Sequence, residues 1–395
     1  MVETTDDRTP ATPHVASRPE FANFDYLRLF AAAAVLFGHA IAVAEGNDRR
    51  DPLVWLTGKD IPTGTYAVCI FFIISGFLVT RSAREGRFLH AFIAGRVLRI
   101  YPGLFICQLL TAIVIGGHFS RMDFATYMRD GFAWGYAVQY TLDPGMTWNV
   151  PTVSFYHDRG LDGVSFNASL WSIQQELFCY VIVALLMLVR LVDWRVYLGL
   201  LLLSLPFFVP WSHDNVDMLM NLVDWSFDEQ RLTEFFWVGS SFFAGGLLYF
   251  FWRWRDGFPR WPLAACAMVF LFAVVQNRTY AYFPLYAAYP LLYWATHPSA
   301  QLPSLKRLGD LSYGIYLYGW PFEQSVRGIV GPSVTWWQVL LLAGIASVAT
   351  AYLSWHLVER PALSLKRVFR RRGGKAAQSS SIAGTDGGER GATTE

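Results

Sequence analysis

An arginine and a histidine stand eleven positions apart in one apolar run, Phe24-Asp25-Tyr26-Leu27-Arg28 leading through Leu29 to Gly38-His39. On a helix of about 3.6 residues per turn, eleven steps make roughly three turns, so Arg28 and His39 share a face some ~16 Å apart along the axis. Ionisable groups are costly to keep inside a bilayer, and a pair on one face can line a single channel at two depths. A neutral imidazole with an ordinary pKa of about 6.5 can take the proton of a hydroxyl, which makes His39 the candidate general base. The alternatives are a snorkelling interfacial cation for Arg28 and a hydrogen-bonded bundle histidine for His39.

Further along, Arg96-Val97-Leu98-Arg99-Ile100-Tyr101-Pro102 sets two arginines at i and i+3, on one helix face, where they could grip phosphates in bidentate fashion. Placed at the mouth of a third span, the pair also fits the general excess of basic residues on the inner side of membranes. Phe71-Phe72-Ile73-Ile74-Ser75-Gly76-Phe77-Leu78 carries a small Ser75-Gly76 step that lets a ligand or a second backbone approach closely, helix packing being the simpler use. In Asn167-Ala168-Ser169-Leu170-Trp171-Ser172-Ile173-Gln174-Gln175-Glu176, the carboxylate falls one to two turns into a fourth span. At a depth like that of His39 it could orient the imidazole or polarise an acceptor hydroxyl, or simply face a water-filled vestibule. Tyr313 and Tyr316, in Leu311-Ser312-Tyr313-Gly314-Ile315-Tyr316-Leu317, can close the same cavity or serve packing alone.

These residues need a membrane to hold them. Of 395 residues, 54% are hydrophobic, 17% aromatic and only 16% charged, with a mean hydropathy of +0.30. That balance lies outside the range of soluble domains, and a net charge of +2 is too mild to suggest nucleic acid. Cys69, Cys107, Cys179 and Cys266 all fall in apolar runs without metal-ligand spacing, so neither disulfide nor metal is expected. No repeat of solenoid period is present.

The apolar stretches predict an all-α integral membrane protein of about ten helices: 26–44, 65–80, 98–117, 170–189, 196–211, 234–252, 262–276, 281–296, 311–330 and 336–357. Pro284 and Pro290 interrupt the eighth. With both termini placed in the cytosol, the inner segments hold 22 Lys and Arg and the outer ones nine, as the positive-inside rule requires. Residues 1–24 read as a polar cytosolic tail without a signal peptide, 25–358 as the transmembrane domain, and 359–395 as a basic and then disordered cytosolic tail. Of the two long outer segments, 118–169 carries Trp134, Tyr136, Tyr140, Trp148 and Tyr156, read first as interfacial anchors and second as a lid or sugar-stacking surface. The other, 212–234, carries Asp214, Asp217, Asp224, Asp228 and Glu229 and reads as a solvated loop.

The order of these motifs, with Val358-Glu359-Arg360-Pro361 last, resembles the acyltransferase-3 family of bacterial membrane O-acyltransferases from Asp25 to about Pro361. The resemblance implies a ten-helix domain that uses acyl-coenzyme A, commonly acetyl, as co-substrate, with no resident cofactor. The acceptor it implies is a hydroxyl of a carbohydrate, a lipid-linked glycan or another lipid at the extracytoplasmic face of the bacterial cytoplasmic membrane. By position, Arg28 and His39 match the family's essential first-helix pair, and Arg96 and Arg99 the pair assigned to the donor. The candidate site is therefore His39, Arg28 and Glu176 for catalysis, Arg96, Arg99, Ser75 and Tyr101 at the donor, and Trp171, Tyr313 and Tyr316 at the acceptor. Two departures stand out: Gly319 occupies the position of a ninth-helix histidine found in many members, and no hydrolase-like domain follows the last span. A proton-coupled transporter or glycan flippase, and a catalytically inactive scaffold, are the rival classes, because many spans with buried ionisable groups describe them too.

Overall fold

The computed structural model describes residues 21–58, 61–86, 88–144, 152–153, 155, 165–204, 229–305 and 307–366. Both terminal tails up to 20 and from 367, Trp148 and Tyr156, Asp214, Asp217, Asp224 and Asp228, and the fifth predicted helix beyond Ser204 lie outside the described residues.

Among the described residues the chain is helical, with no strand beyond one isolated bridge between Ser120 and Val153. The helices are α1 (Asn23–Glu45), α2 (Pro52–Thr57), α3 (Thr63–Glu85), α4 (Leu89–Phe119), α5 (Phe124–Arg129), α6 (Phe132–Leu142) and α7 (Ala168–Leu188). They continue with α8 (Trp194–Ser204), α9 (Glu229–Arg255), α10 (Pro262–Val275), α11 (Phe283–Thr296), α12 (Leu311–Val330) and α13 (Trp336–Ser364). All ten predicted segments are helical over most of their described length, yet among the described residues six helices are long and apolar enough to cross a bilayer: α1, α3, α4, α7, the part of α9 from Glu234, and α13.

The distribution of polarity is that of a membrane bundle. Val181, Leu185, Leu188, Leu341 and Ile345 are exposed, whereas Gln108, Gln175, Glu323, Arg327 and Glu359 are buried between helices. Apolar surface of this extent stays outside only where lipid covers it.

Local chemistry sets the connections. Gly46, at φ 72°, ends α1 in the left-handed conformation that a glycine adopts without penalty. The Asp51 carboxylate then caps α2 through the Leu53 N–H and also accepts from the Thr63 N–H and hydroxyl, which fixes the start of α3. Thr335 and Gln338 form a capping box at the start of α13.

Three sequence readings change. α4 begins at Leu89 rather than near 98, about two and a half turns earlier, because nothing between His90 and Arg96 breaks a helix. At 31 residues it is about 46 Å long and outruns a hydrocarbon core of about 30 Å. Tyr136 and Tyr140 are neither anchors nor a lid: both are buried, their rings 4.4 Å apart, with Phe166 5.0 Å from Tyr136, while Trp134 stays exposed. The last helix continues past Val358 to Ser364 through a π-helical turn, Trp355–Glu359, and α4 holds a second one at Thr111–Gly116.

α3 and α9 pack backbone to backbone. A Cβ at Gly76 would overlap the Phe242 carbonyl, and one at Gly245 would overlap the Ile73 carbonyl, so each helix seats its glycine on the other's main chain. Gly76→Ala is expected to destabilise the bundle by about 1–3 kcal/mol, the usual cost of overpacking. The check is a lower midpoint in thermal unfolding of detergent-solubilised protein; an unchanged midpoint would contradict the contact.

Candidate active site

One cavity of about 100 Å³ gathers most of the residues singled out in the sequence: Arg28 from α1, Ser75 from α3, Arg96 and Arg99 from α4, Glu176 from α7, and Tyr313 and Tyr316 from α12. His39, Tyr101 and Trp171 do not line it.

The arginines differ in their commitments. Arg99 donates to the Asp310 carboxylate at 2.6 Å, and Arg28 lies 3.5 Å from the same carboxylate and 3.7 Å from Asp25. Asp310, which the sequence reading passed over, thus ties α1, α4 and the entry to α12 together. Arg96 has no ion pair among the described residues; its guanidinium lies over the rings of Phe92 at 5.6 Å and Tyr180 at 5.4 Å. Because α4 starts early, Arg96 and Arg99 sit about two and three turns into the helix rather than at its mouth.

Burial would push the Asp310 carboxyl up, but Arg99, Arg28 and the Ser312 hydroxyl outweigh it and hold the group down at about 2. A carboxyl depressed in the folded state stabilises that state fully above its unfolded value of about 3.9, and the contribution disappears as pH falls from there towards 2. Stability between pH 5 and 8 should therefore not vary through this group. Asp310→Asn is expected to cost about 1.5–3 kcal/mol at pH 7, by leaving two guanidiniums short of a counter-ion, and to flatten the acid limb of a plot of Tm against pH. A variant with the wild-type acid limb would show that the clamp is not what acid disrupts.

Beside Arg96, the Ser75 hydroxyl donates to Glu176 Oε1 at 2.7 Å and the Tyr180 hydroxyl donates to the same oxygen at 2.5 Å. Tyr180, one turn after Glu176, thereby links the carboxylate to the ring on which Arg96 rests. Tyr313 donates to the Ile100 carbonyl at 2.8 Å, and Tyr316 to the Ser169 carbonyl, with the Ser172 hydroxyl 2.6 Å away. Both tyrosines are thus tied to α4 and α7 by their own hydroxyls. Behind them Glu359 is buried, accepting from the Ser354 hydroxyl at 3.0 Å and packing beside Tyr313 over Gly103.

His39 lies further along α1, and the structure does not bring Glu176 to it. Its neighbours are on α12: Glu323, 3.7 Å from Nδ1, and Trp320, whose ring meets the imidazole edge-on at 4.9 Å. The helical period fixes where a residue falls on its own helix, but not how the neighbouring helix is rotated, so of the readings open to Glu176 the one that set it beside the imidazole is not the arrangement found, and Glu323 stands there instead. The signal for Glu323 was present, as a carboxylate in the middle of an apolar helix. At Gly319 an added Cβ would come 2.9 Å from the Leu36 side chain, so α12 passes close to α1 there. Among the described residues no group of three His, Cys, Asp or Glu is arranged to hold a metal ion.

A family model described as an acyltransferase domain matches residues 21–356. The chain is 30% identical over 362 residues to nodulation protein 10 of Rhizobium leguminosarum bv. viciae, a match that covers 87% of this chain and 94% of that protein. It is 25% identical over 338 residues to an O-acetyl transferase of Shigella phage Sf6, covering 85% of this chain and 94% of that one. No solved structure matches it. Since the matched region contains every residue that lines the cavity, together with His39 and its neighbours, the chain belongs to the acyltransferase-3 family and is a multi-pass membrane acyltransferase.

Proposed function

We propose that the protein transfers an acyl group, acetyl in the first instance, from cytosolic acyl-coenzyme A to a hydroxyl of a carbohydrate or lipid-linked glycan at the outer face of the cytoplasmic membrane. The observation that carries this reading is the convergence of Arg28, Arg96 and Arg99 on one cavity near the start of the helix that bears His39 about three turns further on. The excess of basic residues supports cytosolic termini, an orientation with the arginine end inside and the His39 end outside. The relative's printed activity, O-acetyl transfer, supports the choice of acetyl.

In this mechanism the arginine cavity holds the anionic part of the donor, and the pantetheine arm reaches along the Arg28–His39 face. Neutral His39 takes the proton of the acceptor hydroxyl as its oxygen attacks the thioester carbonyl. The carbon–sulfur bond breaks, the thiolate leaves, and the imidazolium returns the proton to it. Glu176, hydrogen-bonded by Ser75 and Tyr180, holds the cavity wall on which Arg96 rests.

The test is mass spectrometry of envelope polysaccharides and lipids from a deletion strain with and without the restored wild-type chain. An acyl mass increment that disappears on deletion and returns on complementation is the expected result. No acyl difference in strains that make the protein would sink the assignment of an envelope acceptor.

A further inference from the structure

Among the described residues, Glu323 is the acid–base group placed against His39. The Glu323 side chain is entirely buried, and neither of its carboxylate oxygens makes a hydrogen bond. Burying a carboxylate without a partner is costly, and an apolar side chain of the same volume would fill the space without that cost. What the position gains is proximity: Oε2 stands 3.7 Å from Nδ1 of His39, a small side-chain adjustment from a hydrogen bond, and catalytic contacts commonly tighten once substrate binds.

The framework around the pair is fixed. Trp320, one turn before Glu323 on α12, donates its indole N–H to the Ser165 carbonyl at 3.0 Å and packs edge-on against the imidazole. Its ring therefore limits how far the imidazole can turn, with Nδ1 facing α12. Glu176 is not a competitor, because its neighbours are Ser75 and Tyr180.

We propose that Glu323 is the positioning residue of His39. It accepts the Nδ1–H, so that Nε2 carries the lone pair, and it offsets the positive charge of the imidazolium while Nε2 holds the proton from the acceptor hydroxyl. No proton passes to Glu323. This rests on His39 being the general base, as proposed above.

The experiment uses membranes containing the full chain, radiolabelled acetyl-coenzyme A as donor, and the envelope glycan and lipid fraction of the deletion strain as acceptor. Glu323→Leu should lower kcat by about 10- to 100-fold, with KM for acetyl-coenzyme A within about twofold of wild type, since the donor cavity is elsewhere. Glu323→Gln, which can still accept from Nδ1–H but carries no charge, should fall between the two. His39→Ala is run beside them to separate the two levels of the argument. If His39→Ala is inactive while Glu323→Leu has wild-type kcat, the positioning role is wrong and the general-base reading survives. If His39→Ala transfers normally, or wild type transfers nothing, the general-base reading fails and takes the positioning role with it. Should Glu323→Leu fail to reach the membrane, Glu323→Gln decides: kcat per folded molecule equal to wild type overturns the proposal.

Discussion

Replacing His39 with alanine is expected to remove the acyl increment from the envelope while leaving donor binding intact. General-base catalysis by a positioned histidine is worth about 10² to 10⁴ in rate, so residual transfer should fall to or below the detection limit of mass spectrometry in a complemented strain. Donor affinity should be unaffected, because His39 does not line the cavity that holds Arg28, Arg96 and Arg99. Equilibrium binding of radiolabelled acetyl-coenzyme A to the purified variant measures that half of the expectation. A variant that binds donor but does not transfer fits a base; one that transfers at the wild-type rate refutes it.

The second large effect is expected at Arg96. Arg99 already donates to Asp310 and Arg28 shares that carboxylate, whereas Arg96 has no counter-ion among the described residues and rests on two aromatic rings. Its guanidinium is the one in the cavity with its charge still to be met. Charge-assisted hydrogen bonds contribute about 1.5–3 kcal/mol, which at 1.4 kcal/mol per decade predicts acetyl-coenzyme A binding weaker by roughly 10- to 150-fold in Arg96→Gln. Arg99→Gln should act mainly on stability, since it removes a partner from a partly buried carboxylate. The reverse ranking, with Arg99 dominating affinity and Arg96 silent, would mean that the donor displaces Asp310 from Arg99.

The sequence made the cavity legible because its residues fall on short motifs whose spacing fixes a helix face: Arg28, Ser75, Arg96, Arg99, Glu176, Tyr313 and Tyr316 all meet. Tyr101 and Trp171 belong to the same motifs but lie half-buried away from the cavity, packed against the hydrophobic core. Rotation of one helix against another leaves no trace in periodicity, which is why Glu176 seemed a partner for His39 and Glu323 went unnoticed. Asp310 was hidden for another reason: a lone carboxylate at a helix entry looks like a cap until two arginines from distant helices reach it. The early start of α4 was obscured by the charged and polar residues from Arg81 to Arg99 that mark a membrane edge, and the burial of Tyr136 and Tyr140 by a composition that suits an interface equally well.

The reciprocal seating of Gly76 and Gly245 bears on the proposed donor path. Two helices whose main chains touch at two points cannot slide past each other by a turn, nor rock about their shared axis, without breaking both contacts. The seam made by α3 and α9 is therefore a stator, and on the proposed donor path the freedom to move belongs to the pantetheine chain. With the helices held, the length of the arm sets whether the thioester reaches His39, so donors with a shortened arm should lose turnover at saturation.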